Sequence, residues 1–103
     1  MRDVHDIYTT FKHEFPELSE RINATSHAIH VGGGPLDERT RALLKVAIAA
    51  AGGHLTALET HVVAAREAGV ADDEIVHALL MLVSTCGFPT FMEAYSTFKH
   101  AKP

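Results

Sequence analysis

Eight histidines and a single cysteine are the residues of this 103-residue chain best equipped for chemistry. His54 and His61 stand seven apart, two turns along one helix face, with Leu58 between them and Ala65 beyond. At ~1.5 Å rise per residue the two lie about 10 Å apart along the axis, too far to share one ion. A ligand lying along the helix could meet both. His61 interrupts an otherwise apolar stripe, where partial burial would keep an imidazole neutral and able to exchange a proton near pH 7. The alternative is a core histidine bonded to a backbone carbonyl. Glu59, two residues before His61, does not face it on a helix, which argues against a direct acid–base pair. His27 and His30 have a metal-ligand spacing, yet the sequence identifies no third ligand, and a solvated pair near a helix C-terminus is the simpler reading. Cys86 continues the Ile75, Leu79, Leu82 stripe, where a thiol acts as a small hydrophobe, with catalytic use as the other reading.

The elements that must position these groups are all helical. Val4, Ile7, Tyr8, Phe11 and Phe15 recur at three- and four-residue steps, and Pro16 opens the next helix at a tolerated first-turn position. Leu18, Ile22 and Ile29 continue the helical phase. Gly32, Gly33 and Gly34 with Pro35 form the clearest break; no preceding strand and no following Gly-Lys-Ser support a phosphate loop, so this is a linker. Asp37 is a good N-cap for a third helix running to about Ala51, apolar on nearly every face. A fourth helix spans about His54 to Ala68, with Gly69 as its stop. Asp72, Asp73 and Glu74 begin a fifth that reaches Cys86. Gly87 and Pro89 precede a last helix carrying Phe91, Tyr95 and Phe98. The aromatics Phe88, Phe91, Tyr95 and Phe98 read as core. The expectation is a single-domain, all-α protomer of six helices.

Composition narrows the function further. Nine basic against 13 acidic residues give a net charge of −4, with no basic stripe to engage nucleic acid. No apolar run is long enough to span a membrane. One cysteine excludes an internal disulfide and a CxxC redox pair, and the polar first residues are not signal-like, so a cytoplasmic protein is expected. With 47% hydrophobic residues and two helices apolar on several faces, a small protomer has surface left for a second copy of itself.

Two stretches carry more than periodicity. One is the segment 36–44, Leu-Asp-Glu-Arg-Thr-Arg-Ala-Leu-Leu, leading into the alanine-rich helix. The other joins Gly53-His54, Leu58 to His61, Ala68-Gly69-Val70, Asp73-Glu74-Ile75 and Cys86-Gly87-Phe88-Pro89. Their order and spacing over residues 36–100 resemble the carboxymuconolactone decarboxylase family of the alkyl hydroperoxidase D-like superfamily. In the peroxidase branch of that superfamily the two CxxC cysteines would fall on His54 and Ala57, and an upstream glutamate on Ala42. All three are absent, which argues against disulfide-based peroxidase chemistry. His61, Cys86, Gly87 and Pro89 match the branch that lacks CxxC, from which the chain departs at Thr56, Ala57, Val63 and Thr85.

The resemblance implies a compact six-helix bundle, with residues 1–31 as N-terminal helices before the family core. It further implies a homo-oligomer, a trimer or hexamer, and cofactor-free, metal-free decarboxylation or lactone processing of a small carboxylated molecule. His61 would be the proton donor and His54 its helper. Arg39 would hold a carboxylate, while Glu59, Cys86, Gly87 and Pro89 would line the substrate site. Two alternatives stay open: a non-catalytic small-molecule-binding or assembly protein, and peroxidase activity through Cys86 without a CxxC pair.

Overall fold

A computed structural model describes residues 4–101, with side chains from residue 7 onward. Among these residues every regular element is helical: α1 (Val4–Glu14), α2 (Pro16–Gly32), α3 (Glu38–Ala51), α4 (Leu55–Glu67), α5 (Asp72–Leu80), α6 (Leu82–Cys86) and α7 (Phe88–His100). The all-α expectation holds. The chain forms two compact units, residues 1–35 and 36–103, meeting at the predicted glycine-rich linker. No described helix is long and apolar enough to cross a membrane.

The first unit is a helical hairpin. Phe15 is the N-cap of α2 and Pro16 occupies its first turn, where a missing N–H leaves no partner unmet. The Phe11 and Phe15 rings lie 5.6 Å apart, tilted by 31°, and Asn23 Nδ2 donates to the Tyr8 hydroxyl at 2.8 Å. Ser19 is its one buried residue among those described, while Phe15, Leu18, Ile22 and Ile29 remain exposed.

The second unit contains the core. Asp37 caps α3 as its sequence predicts, its carboxylate accepting from the Thr40 amide at 2.8 Å. That bond holds the Asp37 carboxyl below its ordinary pKa. Val46, Ala49 and Ala50 of α3 meet Leu58, Val62 and Ala65 of α4, joined by Ile75 and Leu79 of α5, Leu82 of α6, and Phe91, Ala94 and Phe98 of α7. Each fully buried Leu, Ile or Val here is worth roughly 1.5–3 kcal/mol of transfer free energy. Gly69, at φ 90°, stops α4, and the Val70 amide reaches back to the Ala65 carbonyl at 2.9 Å.

One element differs from the sequence reading. The single helix expected over residues 72–86 is interrupted at Met81, which leaves α5 and α6 as separate segments. Ile75, Leu79 and Leu82 are buried as expected, but the break ends the stripe, and Cys86 emerges exposed. The buried thiol expected from a continuous helix is therefore corrected. Gly87 then turns the chain at φ 96° and ψ 154°, a region essentially closed to other residues, and Pro89 sits in the first turn of α7.

Candidate functional site

The candidate groups sit on the α3–α4 pair and on the α6–α7 corner. In α4 the buried side is made by Leu58, Val62 and Ala65, at steps of four and three. His61 lies at the margin of that face and is half-buried, neither sealed in the core nor free in solvent. Glu59 is exposed on another side of the helix, which agrees with the spacing argument against a direct pair.

His54 departs from its expected place. It is the N-cap of α4, not a member of its first turn, and its backbone at φ −87° and ψ 73° is not helical. The seven-residue step therefore does not put it two turns above His61 on one line. Its ring folds back over the preceding turn instead. A Cβ at Gly52 would stand 2.7 Å from His54 Cδ2 and 2.9 Å from Nε2, so the absent side chain makes room for the imidazole. The His54 amide donates to the Ala49 carbonyl at 2.9 Å, and its carbonyl accepts from the Leu58 amide at 2.8 Å. The residue thus stitches α3 to α4 with its backbone while exposing its side chain.

Beside this turn is a half-open depression of about 230 Å³, lined by residues 50–53, Leu55, and Thr90 and Glu93 of α7. It is smaller than the roughly 300–1,000 Å³ of a drug-sized ligand site. Thr90 and Glu93, three apart on one face of α7, were not singled out from the sequence; helical spacing after Pro89 was the available signal. Neither His61 nor Cys86 lines this depression. The exposed Cys86 closes α6, and its carbonyl accepts from the Thr90 hydroxyl at 3.2 Å.

The arginines that could clamp a carboxylate are all engaged. Arg39 of α3 pairs with Glu74 of α5. Glu74 also accepts from the Ala71 amide at 2.9 Å, the reciprocal half of a capping box whose other half alanine cannot make. The Arg39 bond, then the Ala71 amide, holds the Glu74 carboxyl below its ordinary pKa, and Glu74 in turn raises that of Arg39. Arg41 donates to the Leu36 carbonyl. Arg66 grips Asp72 with two nitrogens at 2.8 and 3.3 Å and lies 5.3 Å from the centre of the Phe98 ring. That bond lowers the Asp72 pKa. Both ion pairs fasten the start of α5, Arg39 from α3 and Arg66 from α4.

The expected site residues therefore divide. His61 is half-buried at the margin of the α4 core face. Arg39 reaches Glu74, His54 covers the α3–α4 turn, and Glu59 and Cys86 face outward, while Gly87 and Pro89 shape the α7 entry. No group of three His, Cys, Asp or Glu capable of holding a metal ion occurs among the described residues, and His27 is exposed with His30 half-buried. Comparison with curated proteins gives no match. Residues 16–99 match the model of the carboxymuconolactone decarboxylase family, and with most of its length under that match the chain belongs to this family.

Proposed function

We propose that the protein is a cofactor-free, decarboxylase-like or lactone-processing enzyme acting on a small carboxylated molecule, with His61 as its proton donor. The observation that carries this reading is the half-buried position of His61 beside Leu58, Val62 and Ala65, within the stretch matched to the family. As carbon dioxide departs, the electron pair of the broken C–C bond stays on carbon, and His61 delivers a proton there. Arg39 holds the carboxylate after exchanging Glu74 for substrate, and the apolar residues beside His61 limit water. The lone cysteine suits a reducing compartment such as the cytoplasm.

The test is release of carbon dioxide from carboxymuconolactone and related carboxylated lactones. Turnover that His61→Gln abolishes while the fold survives supports the reading. A second reading has its own observation: Arg39, Arg41 and Arg66 are each tied to a protein group. That pattern favours a non-catalytic binding or assembly protein. Saturable binding of a carboxylated lactone without turnover would select it.

A further inference from the structure

We propose that the depression between the α3–α4 turn and α7 is a binding site for a small primary ammonium, the head group of a short alkylamine. This goes beyond the reading of His61 and does not rest on it, since His61 is not among the lining residues. Every wall belongs to the one compact unit 36–103. Thr90 and Glu93 form the α7 side, and the turn from Ala50 to Gly53 forms the other.

The polar chemistry of the walls is that of acceptors. The Glu93 carboxylate is exposed and has no ion pair or side-chain hydrogen bond among the described residues. The Thr90 hydroxyl gives its hydrogen to the Cys86 carbonyl at 3.2 Å, so its oxygen offers lone pairs. In the turn, the Gly52 and Gly53 amides donate back to the Ile48 and Ala50 carbonyls at 3.0 and 3.1 Å. The Ala51, Gly52 and Gly53 carbonyls accept no backbone amide among the described residues. They lie at the negative end of α3, whose last turn has no basic residue to offset it, and no lining residue is cationic.

Such a surface is complementary to a ligand that brings N–H donors and positive charge together, which an ammonium does. The volume of about 230 Å³ admits that head group with a short alkyl tail, which buried Ala50 and half-buried Leu55 can meet. A divalent cation asks for several hard oxygen ligands, and the walls hold one carboxylate. The glycines keep the turn low. A Cβ at Gly52 would strike the His54 ring, and Gly53 has φ 73°.

Titration of the full chain with n-propylammonium chloride at pH 7 and constant ionic strength tests this, followed by amide NMR shifts. Saturable shifts centred on residues 50–55 and 90–93 are expected, with a dissociation constant on the order of 1 mM because Glu93 is exposed. Glu93→Gln, at a surface position, should leave the circular dichroism spectrum unchanged and weaken binding about tenfold. Glu67→Gln, an exposed carboxylate at the end of α4, should leave binding as it is. n-Propanol, of similar shape without the charge, should not saturate the site, and equimolar magnesium should not displace the amine. Absent or non-saturating shifts would overturn the proposal. So would equal binding by folded Glu93→Gln, equal binding of n-propanol, or displacement by magnesium.

Discussion

Helix α4 and the α5–α6 segment each carry a residue that the sequence places on a buried stripe, and the two outcomes differ. In α4 the phase runs unbroken through Leu58, Val62 and Ala65, and His61 arrives at the edge of the core. In α5–α6 the same arithmetic succeeds for Ile75, Leu79 and Leu82, then fails for Cys86, because Met81 interrupts the helix between them. Extrapolating a face is sound within one hydrogen-bonded helix and loses meaning across a break of a single residue. For function, this keeps His61 poised between core and solvent while removing Cys86 from the core altogether.

The comparison can be broken first at its core. Leu58→Ala removes a fully buried side chain from α4 and should cost about 2–5 kcal/mol, read as a drop in unfolding midpoint under denaturant. A loss under 1 kcal/mol would mean that the face containing His61 is not packed as described. Next comes Gly87→Ala at the α6–α7 corner, where φ is 96°. Backbone strain there should cost roughly 1–3 kcal/mol, although an added Cβ would meet only Pro89 Cδ at an ordinary 3.7 Å. Cys86→Ser sharpens the contrast from the other side. At an exposed position it should change stability by less than about 0.5 kcal/mol, and the thiol should react with an aromatic disulfide in the native state. Slow labelling limited by global unfolding would put Cys86 back in the core.

Much of the fold was legible because its punctuation is local. Asp37 announces α3, Gly69 stops α4, and the glycines before Leu36 mark the division between units. The break at Met81 has no such mark. Leu79, Leu80, Met81, Leu82 and Val83 form an apolar run without glycine, proline or a capping side chain, so propensity predicts continuation. His54 was misplaced by a smaller margin. Gly52 and Gly53 correctly end α3, but histidine is not among the residues that favour an N-cap, and one position is enough to remove its side chain from the helix face. The engagement of Arg39 was not legible at all, since Glu74 lies 35 residues away and only the fold brings them together.

That long-range pairing gives the smallest predicted effect. The folded pKa values of Glu74 and Asp72 are lowered by Arg39 and Arg66 respectively. Their contribution to stability is therefore complete above the ordinary carboxylate range and fades as pH falls through it toward the lowered folded values. Glu74→Gln should lower the melting temperature slightly near pH 7, where that contribution is complete, and converge on the wild type toward pH 3, so that the acid limb flattens. The effect is small because both partners are substantially exposed. An acid limb identical to the wild type would mean that the Arg39–Glu74 pair contributes nothing in solution.

The most direct measurement bears on His61. Carbon dioxide release from carboxymuconolactone and its close analogues should be followed for wild type and His61→Gln, with the melting temperature taken on the same preparations. Loss of a general acid predicts a fall of about 10²–10⁴-fold in turnover with folding preserved. A His61→Gln variant that melts earlier yet keeps full activity per folded molecule would contradict the account and assign His61 to packing alone.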